Sequence, residues 1–151
     1  NIPKLLFIRT LFVLLTALWT WGIFIPALVN DIGVEYSILP FIKHSYSLVC
    51  HQDIDKSFFI NTKKIFVCSR CTGIYSGAFL SSLFLLFSLK RFNLQKVYLW
   101  IAPVPMLIDV LFNLFGMYSY NKIISMCTGL FFGSILFIYI SDVFEKIPIK
   151  D

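Results

Sequence analysis

Four stretches of this chain are each long and apolar enough to cross a lipid bilayer, and nothing else in the sequence restricts the fold so severely. They cover residues 10–29, 72–89, 97–115 and 123–140, and a helix needs about 20 apolar residues to traverse the hydrocarbon. Inside hydrocarbon a backbone amide finds no water to bond, so each stretch is expected to be helical. The connections at 90–96 and 118–122 are short enough to force antiparallel neighbours. The expected fold is therefore all-α: a four-transmembrane-helix bundle forming one membrane domain over residues 1–151, with a long loop at 30–71 between the first two spans.

Composition points the same way. The chain is 58% hydrophobic and only 14% charged, with a mean hydropathy of +0.82, and a water-soluble fold of this size has no interior large enough to hide so much apolar surface. Thirteen Lys and Arg give a net charge of +5, but they are scattered between the spans. Such scatter suits lipid headgroups and argues against nucleic acid as a partner. Lys4, Arg9, Lys90, Arg91, Lys96, Lys146 and Lys150 fall on one side; Lys43, Lys56, Lys63, Lys64, Arg70 and Lys122 fall on the other, diluted by Asp31, Glu35, Asp53 and Asp55. By the positive-inside rule the first side is cytoplasmic, which places both termini in the cytoplasm. No cleavable signal peptide is read, and Asn1 as the first residue suggests a trimmed chain.

The two halves also resemble each other. The pattern W-x4-P-x-L-[VI]-[ND] occurs at Trp21–Asn30 and again at Trp100–Asp109, and C-T-G-[IL]-[YF]-x-G occurs at Cys71–Gly77 and again at Cys127–Gly133. Two tandem helical hairpins are thus expected, the first carrying the extra loop. Gly73 with Gly77 and Gly129 with Gly133 are small-xxx-small pairs, which predict close contact between spans two and four.

The extra loop holds the chemistry. Cys68 and Cys71 form C-x-x-C, the spacing that lets two thiolates reach one tetrahedral metal ion, and Cys50 with His51 can complete the set. Between them, SFFI and KIFV flank the turn residues 61–64, which predicts a short hairpin that folds the two halves of the motif together. The expected metal ligands are Cys50, His51, Cys68 and Cys71, and the expected ion is zinc. Adjacent Cys50 and His51 reach one ion only around a tight turn. His51 is otherwise a partner to the ligands or an acid–base group, with His44 or Asp109 as fourth ligand. Redox-active thiols and a structural disulfide are the alternatives. His44 itself reads as an interfacial histidine on an amphipathic segment around 41–49.

Alternation of the spans brings all four cysteines to one membrane face. It also places Asp109 and Asn113, one helical turn apart, in the same half of span three. A carboxylate inside a span needs a partner or a cavity, and Arg70 is the expected counter-ion. Asp109, His51 and Arg70 are the candidate catalytic residues; Gln52, Tyr75, Asn121 and Ser125 are expected around the same polar region.

At Cys50–Gln52, Lys56–Phe58 and Cys68–Gly77, and onward through Pro105, Asp109, Thr128, Gly129 and Gly133, the chain resembles a family of small predicted prokaryotic membrane proteins of unknown function. That family carries C-H-Q, R-S-F, C-A-R-C-x-G-I-Y-x-G, a span with Pro and Asp, and a last span with T-G-x-x-x-G. Lys56 and Ser69 depart from it, standing where Arg and Ala are usual. The resemblance supports the choice of site residues and implies a prokaryotic cytoplasmic membrane as the location, but no reaction.

The first functional reading is a metal-binding membrane protein, whose partners are the bilayer and, if the ion keeps an open position, a small-molecule or lipid substrate. The second is a membrane thiol-disulfide oxidoreductase using the C-x-x-C, with Arg70 lowering a thiol pKa. The third is a non-catalytic subunit or scaffold of a membrane complex. No H-E-x-x-H, phosphate loop or C-x-x-C-H is present.

Overall fold

A computed structural model describes residues 2–28, 39–60, 62–88 and 94–146. Six helices and two strands follow in the order α1 (Ile2–Leu28), α2 (Leu39–Ser47), β1 (Ser57–Ile60), β2 (Lys63–Cys68), α3 (Ser69–Phe87), α4 (Lys96–Ile101), α5 (Val104–Leu114) and α6 (Lys122–Lys146). Four segments are long and apolar enough to span: Leu5–Leu28, Ser69–Phe87, Lys96–Leu114 and Lys122–Lys146. The fold is thus the expected multi-pass helical bundle with a minor two-stranded sheet. Val29, Leu89, the loop residues 30–38, Asn61, Lys90, Arg91 and Lys150 lie outside the described residues, as does the side chain of Lys4.

The helices depart from the apolar runs where polar groups give them a reason to. α1 and α6 run past their apolar stretches so that Arg9 and Glu145 meet at 2.8 Å, with side chains only 3% and 5% exposed. Arg9 also donates to the carbonyl of Leu85 at 2.6 Å and to that of Ser88. One guanidinium therefore satisfies carbonyls at the C-terminal end of α3 that no intrahelical donor reaches. The third span is two helices, interrupted at Ala102 and Pro103. Pro103 and Pro105 lack an N–H and cannot continue the ladder, which resumes with Leu107 N–H donating to the Pro103 carbonyl at 2.8 Å.

α3 and α6 form the spine. A Cβ on Gly73 would strike the backbone of Met126 and Leu130, and one on Gly129 would strike that of Arg70 and Ile74. Aligning the two C-T-G copies pairs Gly73 with Gly129, Arg70 with Met126 and Ile74 with Leu130. The contacts are therefore exchanged between the two helices, as a pseudo-two-fold axis along a parallel pair requires. Gly77 against Leu130 and Gly133 against Ile74 continue the pattern one turn on. Hydrophobic burial gives no drive between helices in lipid, so contact is won by backbone approach and small polar groups. Accordingly Ser81, Ser82, Ser125 and Ser141 are buried in the spans, while Leu18, Phe87 and Trp100 are 73%, 83% and 80% exposed.

α1 lies along α3 through Thr16 Oγ1 to Ser82 Oγ at 2.9 Å and Thr20 Oγ1 to the Tyr75 carbonyl at 3.4 Å. Near its far end α1 carries the only cluster of large buried apolar side chains among the described residues: Ile23 with Tyr46 of α2 and Ile65 and Val67 of β2. β1 and β2 pair antiparallel, Phe59 opposite Lys64 and Ile60 opposite Lys63, around a turn in which Thr62 takes φ +65°. The expected hairpin is present, and it clamps the loop onto the end of the bundle.

Candidate metal centre

Each sulfur of the site is placed by a different local device. Cys50 follows α2, its N–H donating to the Tyr46 carbonyl at 3.0 Å. Cys68 is the last residue of β2, in extended backbone immediately before α3. Cys71 stands in the first turn of α3, which Thr72 steadies by donating its hydroxyl to the Cys68 carbonyl at 3.0 Å. Joining a strand directly to a helix brings both halves of the C-x-x-C to one point, and the hairpin returns that point to Cys50.

The three Sγ atoms lie within 4.8 Å of one another, and all four cysteines are free thiols. Cys127 is exposed and apart from the group. The Cys50 sulfur accepts backbone N–H groups from Cys68 at 3.3 Å and Gln52 at 3.4 Å. The second bond closes a tight turn, for which Gln52 adopts φ +52°, and Lys64 locks it by donating to the Gln52 carbonyl. His51 sits on this turn, exposed, and is not among the residues whose ligand atoms converge. His44 is also exposed.

Ile65, Val67 and Tyr46 wall the sulfurs, with Phe58, Phe66 and Tyr75 packed behind. Hydrogen bonds from the Cys68 and Cys71 sulfhydryls, joined by the two backbone N–H groups, draw the Cys50 thiol far below the usual thiol range against the opposing effect of burial. The same bond pushes the Cys68 thiol up, and burial adds to it. Three converging sulfurs are the donor set that a soft cation completes by displacing thiol protons.

Behind the sulfurs a polar network ties three spans together. Arg70, between the two cysteines of the motif, meets Asp109 at 2.8 Å. Asp109 is 5% exposed and also accepts from Ser125 at 3.2 Å and from the Tyr118 hydroxyl. Arg70 Nε is buried without a hydrogen-bond partner. Ser69 meets the Tyr120 hydroxyl at 2.6 Å, and Lys122 donates to the Ser57 carbonyl at 2.8 Å. Asp109, Arg70 and Ser125 come together as the sequence suggests, whereas Asn121 caps α6 through Ile123 N–H at 2.9 Å and Tyr75 faces Trp19. Tyr118 and Tyr120 escaped the sequence reading. The signal for them was a pair of tyrosines just beyond the span that carries the buried acid.

Residues 50–139 match the family described as "Predicted membrane protein (DUF2085)". The chain belongs to this family. The DUF2085 match begins at Cys50 and so takes in the whole sulfur trio, Arg70, Asp109, Ser125 and both C-T-G copies, while α1 and α2 fall outside it. An uncharacterized protein of Methanocaldococcus jannaschii is 36% identical over 108 residues, 70% of this chain and 69% of the relative. An uncharacterized protein of Methanothermobacter thermautotrophicus is 31% identical over 86 residues, 56% of this chain and 78% of the relative. No solved structure matches the chain.

Proposed function

We propose that this protein binds one zinc ion at an outer-face membrane site, through the thiolates of Cys50, Cys68 and Cys71 with His51 as fourth ligand. The observation that carries the reading is the convergence of three free sulfurs within 4.8 Å, a soft donor set of the kind that selects zinc. The tight turn at Gln52 supports the role of His51, since consecutive residues share an ion only where the backbone doubles back. The reading requires the exposed His51 ring to turn toward Cys50. Arg70 and Asp109 hold the first turn of α3 and so the direction of Cys71.

The test is elemental analysis with thiol counting on protein purified without chelator. About one zinc per chain is expected, with thiols that react only after chelation; Cys68→Ser removes the zinc. His51→Ala lowers affinity roughly tenfold or more if the ring is a ligand, and unchanged affinity assigns the fourth position to solvent or substrate instead. A second reading, thiol-disulfide exchange through the C-x-x-C, is favoured by the Cys68 and Cys71 sulfurs lying within 4.8 Å of each other. A metal-free Cys68–Cys71 disulfide in the purified protein sinks the zinc reading and promotes this one.

A further inference from the structure

Two grooves run along α1 toward the sulfurs. One, of about 320 Å³, lies between α1 and α2 and is lined by Leu15, Leu18, Trp19, Ile25, Phe41 and Ile42 among others. The other, of about 300 Å³, lies between α1 and α3, lined by Leu15, Thr16, Trp19, Thr20, Tyr75 and Ala78. They share Leu15 and Trp19, and each reaches the lower bound of small-molecule sites.

Their depth is fixed by hydrogen bonds already described. Thr20 is level with Tyr75 and Thr16 with Ser82, so the grooves lie beside the middle of the span Ser69–Phe87 and not above it. α2 is accordingly set alongside α1 at Trp19, whose carbonyl accepts the Tyr46 hydroxyl at 2.5 Å. The mouth is formed by Leu18 and Phe41, 73% and 74% exposed, continuous with the lipid-facing surface of α1. The small hydroxyls of the walls are spent: Thr16 donates to the Phe12 carbonyl at 2.8 Å, Ser45 to that of Phe41 at 3.1 Å and Thr20 to that of Tyr75. Such walls hold water poorly and accept hydrocarbon without penalty. At the inner end Trp19 contacts Tyr46 and Tyr75, ring centroids 4.8 and 6.0 Å away, and both tyrosines pack on the cluster that contains Cys50.

We infer that these grooves hold the apolar tail of a bilayer lipid, which makes lipid-tailed molecules the substrate class presented to the sulfur site. The assignment of a substrate, though not the occupancy of the grooves, rests on the zinc reading. The tail enters between Leu18 and Phe41, and the Trp19–Tyr46–Tyr75 aromatics separate it from the sulfurs.

The test uses the full chain in nanodiscs of phosphatidylcholine doped with phosphatidylcholine bearing a diazirine in its acyl chain, with crosslinks mapped by mass spectrometry and zinc measured on the same samples. Labelling at Leu18, Ile25, Phe41 and Ile42 is expected to saturate with probe and to exceed that at the lipid-facing Leu107 and Leu111 of α5 by roughly tenfold. Leu15→Trp, or Ala78→Leu for the second groove, should abolish the excess while leaving zinc and α5 labelling as in the parent. Groove labelling that rises linearly with probe, equals that of α5 and ignores both substitutions overturns the inference. Saturable groove labelling in a protein without zinc supports the tail site and sinks the zinc reading alone.

Discussion

Asp109 is a carboxylate held inside a span by three donors, Arg70, Ser125 and Tyr118. Asp109→Asn keeps its shape and removes its charge, leaving the Arg70 guanidinium without its counter-ion beside the C-x-x-C. The variant should insert and fold, yet bind zinc roughly tenfold more weakly in competition with a chromogenic chelator. Leu111→Asn on the exposed face of the same helix serves as the control, and equal affinities in the two variants would reduce Asp109 to a packing feature. Tyr118 gives a second readout. Its bond to Asp109 raises the hydroxyl above the usual phenol range, so the interaction is fully present below about pH 10 and lost as pH rises through the higher folded value. Ultraviolet titration should show late-ionising tyrosines, one of which disappears in Tyr118→Phe and ionises earlier in Asp109→Asn. The Arg70–Asp109 pair was legible because span alternation alone puts both residues at one face. Tyr118 was not, because its approach depends on the turn after α5, where Gly116 takes φ +66°.

Among the elements, α3 and α6 depend on glycine for the close approach of their backbones. A Cβ at Gly129 meets the Arg70 carbonyl, so Gly129→Val forces the helices apart at the level of Cys71. A loss of about 1–3 kcal/mol is expected from overpacking, read as unfolding at lower SDS fraction and accompanied by weaker zinc retention. Phe131→Val, on the exposed face of α6, should change neither. The C-T-G repeats announced this contact because a small-xxx-small pair has few other uses in lipid. Other features stayed hidden. Pro103 and Pro105 were visible, but hydropathy alone reads residues 97–115 as one continuous span. The depth of α2 depends on one hydroxyl reaching the Trp19 carbonyl, and nothing in the local pattern of 39–47 encodes that partner.

At the scale of the whole molecule, the sulfur cap and the Arg9–Glu145 pair occupy opposite ends of the bundle, which allows sidedness to be tested directly. With the termini cytoplasmic, a membrane-impermeant thiol reagent added to intact cells after chelation should label Cys50, Cys68 and Cys71 but not Gln95→Cys in the 90–96 connection. Labelling of Gln95→Cys alone inverts the bundle and moves the sulfurs into a reducing compartment, where zinc is favoured over a disulfide. The Arg9–Glu145 pair has a further consequence for how the chain is made. Its members stand 136 residues apart, and at roughly 5–20 residues per second the ribosome needs on the order of ten seconds to supply the second after the first. Throughout that interval the first span carries a cation whose counter-charge does not yet exist. This end of the bundle gains its buried ion pair only when the last turns of α6 are made, so a chain truncated before Glu145 should insert yet unfold at lower SDS fraction than the parent.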